Sequence, residues 1–280
     1  MTTIRSRQSL VQVILAILIT MVAAGASGCA SKDGKLQAGT KQPDKWLFEQ
    51  GTASLQTKKW FKAREYFRQL IDSYPQSPHR PDAKLGLGDA YLGEGTSEAL
   101  VYAQNEFREF LTFYPTNPRA DYAQFKLAMA HFKQMPKPER DQTRTKEAIV
   151  EFQSLLDRYP SSSLRSEGSA RLRDARDRLA LSEYGVGLFY YRARWYPGAV
   201  DRFVALLKND PEFTQSDAVY FYLAESLAKI NKKPEALVSF DRLVKGFPKS
   251  QYAQRATKRI EELKIELTPG TVPPAGPKKL

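Results

Sequence analysis

Between residues 44 and 267 the apolar positions fall into one pattern used five times: Ala, then Phe four residues on, Leu or Phe three further, an aromatic or Asp four further, then Pro. The copies are Ala63-Phe67-Leu70-Tyr74-Pro75, Ala103-Phe107-Phe110-Tyr114-Pro115, Ala148-Phe152-Leu155-Tyr159-Pro160, Ala199-Phe203-Leu206-Asp210-Pro211 and Ala236-Phe240-Leu243-Phe247-Pro248. Steps of four, three and four place these residues on one stripe of an α-helix, and Pro cannot continue it. Within three residues of each Pro come Ser77, Asn117, Ser161, Thr214 and Ser250, residue types that cap a following helix. No stretch alternates with a period of two, so the expectation is an all-α chain with essentially no sheet.

A small residue precedes each copy: Gly51, Gly187 and Ala224 lie twelve residues ahead of the Ala, Gly88 fifteen ahead and Ala128 twenty ahead. This resembles the tetratricopeptide pattern of two helices repeating about every 34 residues. The Pro residues are spaced by 40, 45, 51 and 37, which implies insertions between repeats. The largest, about Leu164 to Ala180, keeps helical spacing through Leu164, Leu172, Ala175 and Leu179, and is expected to fuse with the fourth repeat's first helix into one long rod. The domain is therefore read as a solenoid of about five repeats, near 44–76, 78–116, 118–161, 164–212 and 214–249. A helix within 250–267 would cap the last repeat, whose apolar face is otherwise bare.

The first residues differ in kind. Arg5 and Arg7 precede an apolar run from Leu10 to Ala26, with no acidic residue before Asp33. Residues 1–28 read as a secretory signal peptide; about 17 apolar residues rise only about 26 Å as a helix, short of a membrane core. The run ends Ala26-Ser27-Gly28-Cys29, which resembles the bacterial lipoprotein box and makes Cys29 the expected lipid-attachment site; Ala30 behind it implies sorting to the outer membrane. As the one cysteine in 280 residues, Cys29 also excludes an intramolecular disulfide. Residues 29–43 read as a lipidated flexible tether and residues 268–280, with four Pro and two Gly, as a disordered tail. The net charge of +12 invites a nucleic-acid or anionic-surface reading, but losing Arg5 and Arg7 leaves +10 on a chain sent to the envelope, where nucleic acid is not expected.

Candidate chemistry is thin. His79 and His131 have no second His, Cys or motif-spaced acid for a metal site, and Gly86 and Gly88 lack the third glycine and preceding strand of a phosphate loop. The acids are scattered through helices with Lys or Arg four residues away. No catalytic residue, metal or cofactor is expected, and the reading is a protein that holds other proteins. By the repeat register, Phe48, Tyr122, Phe125 and Phe132 fall near the groove that the first helices of such solenoids line.

The loop Arg140-Asp141-Gln142-Thr143, with Tyr159-Pro160-Ser161, Arg176-Asp177-Arg178-Leu179-Ala180, Glu183, Phe189-Tyr190 and Arg194, resembles the BamD family of outer-membrane β-barrel assembly lipoproteins. The likeness covers about residues 44–265; Asp210 departs from it. It implies a non-enzymatic lipoprotein, anchored on the periplasmic face of the outer membrane. Its early repeats would receive unfolded outer-membrane proteins and its late repeats would dock a BamA-like barrel protein beside other assembly lipoproteins. The residues it points to for docking are Asp201 and Arg202, with Arg140 and Asp141 either partner contacts or, with Thr143, a helix cap. A generic envelope tetratricopeptide lipoprotein that organises peptidoglycan or secretion factors is the alternative.

Overall fold

The computed structural model describes residues 41–268. The signal peptide, Cys29, nearly all of the tether, and the tail beyond Thr268 lie outside the described residues. Those from Asp44 onward form one compact unit with no strand among them. The helices are α1 (Pro43–Gln56), α2 (Trp60–Ser73), α3 (Arg80–Glu94), α4 (Ser97–Phe113), α5 (Ala120–Phe132), α6 (Thr143–Arg158), α7 (Arg165–Arg192), α8 (Tyr196–Asn209), α9 (Ser216–Lys229), α10 (Lys233–Gly246) and α11 (Ala253–Leu267). Each packs on the next, α1 on α2 through Gly51 and Phe67, and the described residues form an all-α solenoid of tetratricopeptide type. No described helix is long and apolar enough to cross a membrane.

The recurring stripe is the core. Its Ala, Phe and Leu anchors on α2, α4, α6, α8 and α10 are all at most 1% exposed. The small residues ahead of them explain how two helices come this close. A Cβ built on Gly51 would stand 2.6 Å from the Phe67 ring, one on Gly88 2.7 Å from Phe107, and one on Gly187 2.4 Å from Phe203. Each phenylalanine thus lies flat on a bare patch of backbone.

Within a repeat the first helix usually ends on a left-handed residue: Lys58 (φ 57°), Arg194 (φ 61°) and Asn231 (φ 60°), with Gly95 (φ 71°) doing the same in the second. The following amides fold back, Lys59 donating to the Ser54 carbonyl at 2.9 Å, Trp195 to Tyr190 at 3.0 Å and Lys232 to Leu227 at 2.9 Å, which fills acceptors a helix end leaves open.

Between repeats the expected caps act one step earlier than anticipated. Ser77, Asn117 and Ser250 accept from the amides of His79, Arg119 and Tyr252, two residues on, so they shape the turn before the helix instead of capping its first amides. In the third turn this role falls to Ser162 and not Ser161. In the fourth, the Thr214 side chain caps nothing; its amide donates to Asp177 on α7. The same hydroxyls also reach back one repeat: Ser77 donates to Asp44 at 2.6 Å, Ser162 to Asp121 at 2.6 Å and Ser250 to Asp217 at 2.5 Å. Arg119 does the equivalent to Asp82 at 2.9 Å. A first-turn Asp stapled to the next repeat's turn is therefore a second repeating device.

The insertion and the fourth repeat's first helix form one continuous helix, α7, of 28 residues. Its beginning packs on the third repeat, with Leu172 against Phe152 and Leu155; its later part packs on the fourth, with Ala180 in the cluster built around Phe203. Asp210, which breaks the aromatic-Pro rule, accepts both terminal nitrogens of Arg173 from this rod, one at 2.9 Å. In the second repeat Arg80 reaches the Tyr114 hydroxyl from the equivalent side at 3.0 Å; in the fourth a carboxylate replaces the ring and pairs with the arginine.

Candidate functional site

The sequence-nominated aromatics of the early repeats do not share one environment. Phe48 on α1 is half-buried, its ring stacked on His79 with centroids 5.1 Å apart. Tyr122 on α5 donates to Asp89 of α3 at 2.8 Å and lies under two cations, Arg119 and Lys126, at 4.9 and 5.1 Å. Burial pushes the Asp89 carboxyl up against the opposing pull of Lys126, and its other oxygen has no hydrogen-bond partner. Phe125 is 5% exposed, edge-on to Phe152, and is core. Phe132 packs on the same ring from the end of α5, with Arg171 over it at 5.6 Å. The register that put Phe125 near a groove counted the helix period correctly but not that Phe125 and Phe132 face Phe152, whereas Tyr122 reaches the neighbouring first helix.

The loop between α5 and α6 is internally tied. Gln142, 7% exposed, donates to the carbonyls of Lys137 and Arg140, each at 2.9 Å, and accepts from Thr145 at 2.7 Å. Asp141 accepts from the Thr143 amide at 3.0 Å, and the Thr143 hydroxyl together with that amide holds its carboxyl below the usual carboxylate range. Thr143 is thus the first helical residue and not its cap; the N-cap position is Gln142, and Asp141 shapes the turn ahead of it. The Arg140 and Asp141 side chains remain exposed. Arg178 of α7 donates to the Pro136 carbonyl at 3.1 Å, which fixes the loop against the rod.

That tie opens a groove of about 580 Å³ between the loop and α7, lined by Pro138, Leu181, Gly185, Val186, Phe189 and Tyr190 among others. Phe189 is 65% exposed, Trp195 in the following turn 56% and Val186 40%. Tyr190 is edge-on to Trp195 at 4.8 Å and has the Arg202 guanidinium 5.9 Å from its ring centre. Asp201 and Arg202 are both exposed on α8, off the buried Phe203 stripe, and no ion pair forms at Arg202 among the described residues. Glu183 sits nearby, its carboxyl raised by burial although Lys146 and Arg202 pull the other way. Val186 and Trp195 were not singled out from sequence. The signal was available: Gly187 faces Phe203, and a residue two positions along, such as Phe189, is turned by about 200°, so it points to the opposite side.

A large apolar surface with an arginine at its rim, on a helix that buries its other face, is the composition of a protein-docking site. A family profile described as an outer membrane lipoprotein family, YfiO, matches residues 40–233, and a tetratricopeptide-repeat profile matches residues 218–250. The chain belongs to the YfiO family. It is similar to the outer membrane protein assembly factor BamD of Caulobacter vibrioides, 28% identical over 248 residues that span 88% of this chain and 80% of that one. It is similar also to the factor of the same name in Rickettsia prowazekii, 25% identical over 255 residues, 90% of this chain and 99% of that one. As a YfiO-family protein it is associated with the outer membrane, and its BamD-like relatives carry their resemblance across α7 as well as the repeats.

Proposed function

We propose that this protein is a lipid-anchored, non-catalytic scaffold of outer-membrane protein assembly, held through Cys29 on the periplasmic face of the outer membrane. In this reading a BamA-like barrel protein docks at the α7–α8 surface, with Arg202 at its rim and the exposed Arg140-Asp141 loop beside the groove. Unfolded barrel clients pass along the early first helices past Phe48 and Tyr122, and other assembly lipoproteins share the complex. The observation that carries the reading is the Val186-Phe189-Trp195 surface: two large apolar side chains on a helix whose opposite face is core, and a third in the turn after it, stay in solvent next to an arginine without a carboxylate partner.

The test is co-purification from membranes with identification of the captured proteins, comparing wild type with Arg202→Glu and Phe189→Ser. Both variants are expected to keep wild-type helicity and melting temperature, because both side chains point off the core, while the barrel-protein partner is lost or falls at least tenfold, since a reversed charge at a contact repels its partner. Full capture by both variants, or capture of peptidoglycan-associated proteins in place of a barrel protein, would remove this reading.

A further inference from the structure

The basic residues are not spread evenly. Residues 30–64 hold eight Lys or Arg (Lys32, Lys35, Lys41, Lys45, Lys58, Lys59, Lys62, Arg64) against three acids (Asp33, Asp44, Glu49), a net +5 in the stretch immediately behind Cys29. Within the fold Arg64 is paired with Glu94, and the α1–α2 turn presents Lys58 and Lys59. Lys58 and Lys59 are exposed there, Lys58 in the left-handed conformation that ends α1, and Phe61, 65% exposed, stands at the start of α2. Trp60 is seated on Gly93, where a Cβ would come within 2.7 Å of its ring, so the turn is clamped to the second repeat. Phe61 and the 45% exposed Tyr102 line the same shallow hollow.

We infer that this turn is a second membrane contact, with Lys58 and Lys59 against anionic phospholipid headgroups and Phe61 at the interface. The inference rests on the lipid anchor at Cys29. From Cys29 to Pro43 the chain spans at most about 50 Å extended and about 20 Å on average if flexible. Helix α1 is about 20 Å long, so a tether of that reach permits its far end to touch the leaflet that holds the anchor. Lysines near an anionic surface and an aromatic at headgroup level are what a peripheral contact uses, and acyl chains hold more firmly with a basic patch beside them.

The test uses the full mature chain with Cys29→Ser, so that no lipid is attached, sedimented with vesicles of phosphatidylethanolamine and phosphatidylglycerol, with vesicles of phosphatidylcholine alone, and with peptidoglycan sacculi. Binding is expected to the anionic vesicles and to weaken with salt. The pair Lys58→Asn and Lys59→Gln should lower it roughly tenfold to thirtyfold, and Phe61→Ser several-fold with the salt dependence kept. Asn is tolerated at the left-handed position, and an unchanged melting curve verifies the fold. Equal binding to neutral vesicles, no effect of the lysine pair, or stronger binding to sacculi lost with the same pair would each overturn the inference. Anchoring itself is judged separately by outer-membrane fractionation of Cys29→Ala, so a failed vesicle result beside intact anchoring removes only the membrane contact.

Discussion

Two glycines on α7, two residues apart, carry opposite expectations. A Cβ on Gly187 meets the Phe203 ring at 2.4 Å, and that ring is fully buried, so Gly187→Ala should destabilise the fold by about 1–3 kcal/mol through overpacking. A Cβ on Gly185 meets nothing within 4 Å, so Gly185→Ala should stabilise by about 0.5–1 kcal/mol through helix propensity. Denaturant melts of the two variants check the pair; the same sign for both would mean the face assignment of α7 is wrong. His131 is the other decisive residue. It is 3% exposed, its Nδ1 is 3.1 Å from Glu147, and its Nε2 is buried without a partner. Burial holds the imidazole below its ordinary value, Glu147 and Glu151 oppose this, and Arg108 adds to it. The folded state thus refuses a proton that the unfolded chain takes up below about pH 6.5, so stability is level above that pH and falls as pH drops through it. Melting temperatures between about pH 7.5 and about pH 5.5 should show a smaller fall for His131→Gln than for wild type; parallel falls would assign the effect to other groups.

At the scale of elements, the helices were legible because one stripe recurs with a Pro behind it, and that stripe is the core. The turns were less so. A Ser after Pro marks a helix start in sequence, but whether its oxygen caps the helix or shapes the turn ahead of it depends on one residue of offset, which composition cannot resolve. The long α5–α6 loop gave no periodic signal, because it is held by Gln142 and by Arg178 from a helix more than thirty residues away. The proposed docking surface was half legible: that Arg202 points off the core follows from its place beside Phe203, whereas Val186 requires knowing which side of α7 is covered and Trp195 how the turn after it folds. Asp210 reads in sequence as a defect and in the fold as one end of an ion pair with Arg173, whose guanidinium that hydrogen bond keeps charged. A double-mutant cycle tests this. Arg173→Leu should cost about 1–3 kcal/mol, since it strands the Asp210 carboxylate, and Asp210→Tyr less, since Arg173 keeps Asp177 at 3.1 Å; the double variant should cost less than their sum by about 1 kcal/mol. Strict additivity would show that the two do not act as a pair.

For the whole molecule, each repeat leans only on its neighbours, so damage should spread by nearest contacts. Phe152→Ala, which empties the centre of the third repeat, should cost about 3–5 kcal/mol. Amide exchange should quicken in α5, α6 and α7 while α1, α2, α10 and α11 keep most of their protection. Uniform loss along the chain would mean one cooperative block instead of a solenoid. The exception to nearest-neighbour independence is α7, because its two ends belong to different cores. The chain can be cut between its first and second repeats and leave whole helices on both sides. A cut inside residues 165–192 leaves two stumps, each with a bare apolar face, so the third and fourth repeats form a single unit of inheritance: a shortened or recombined descendant must carry both or neither.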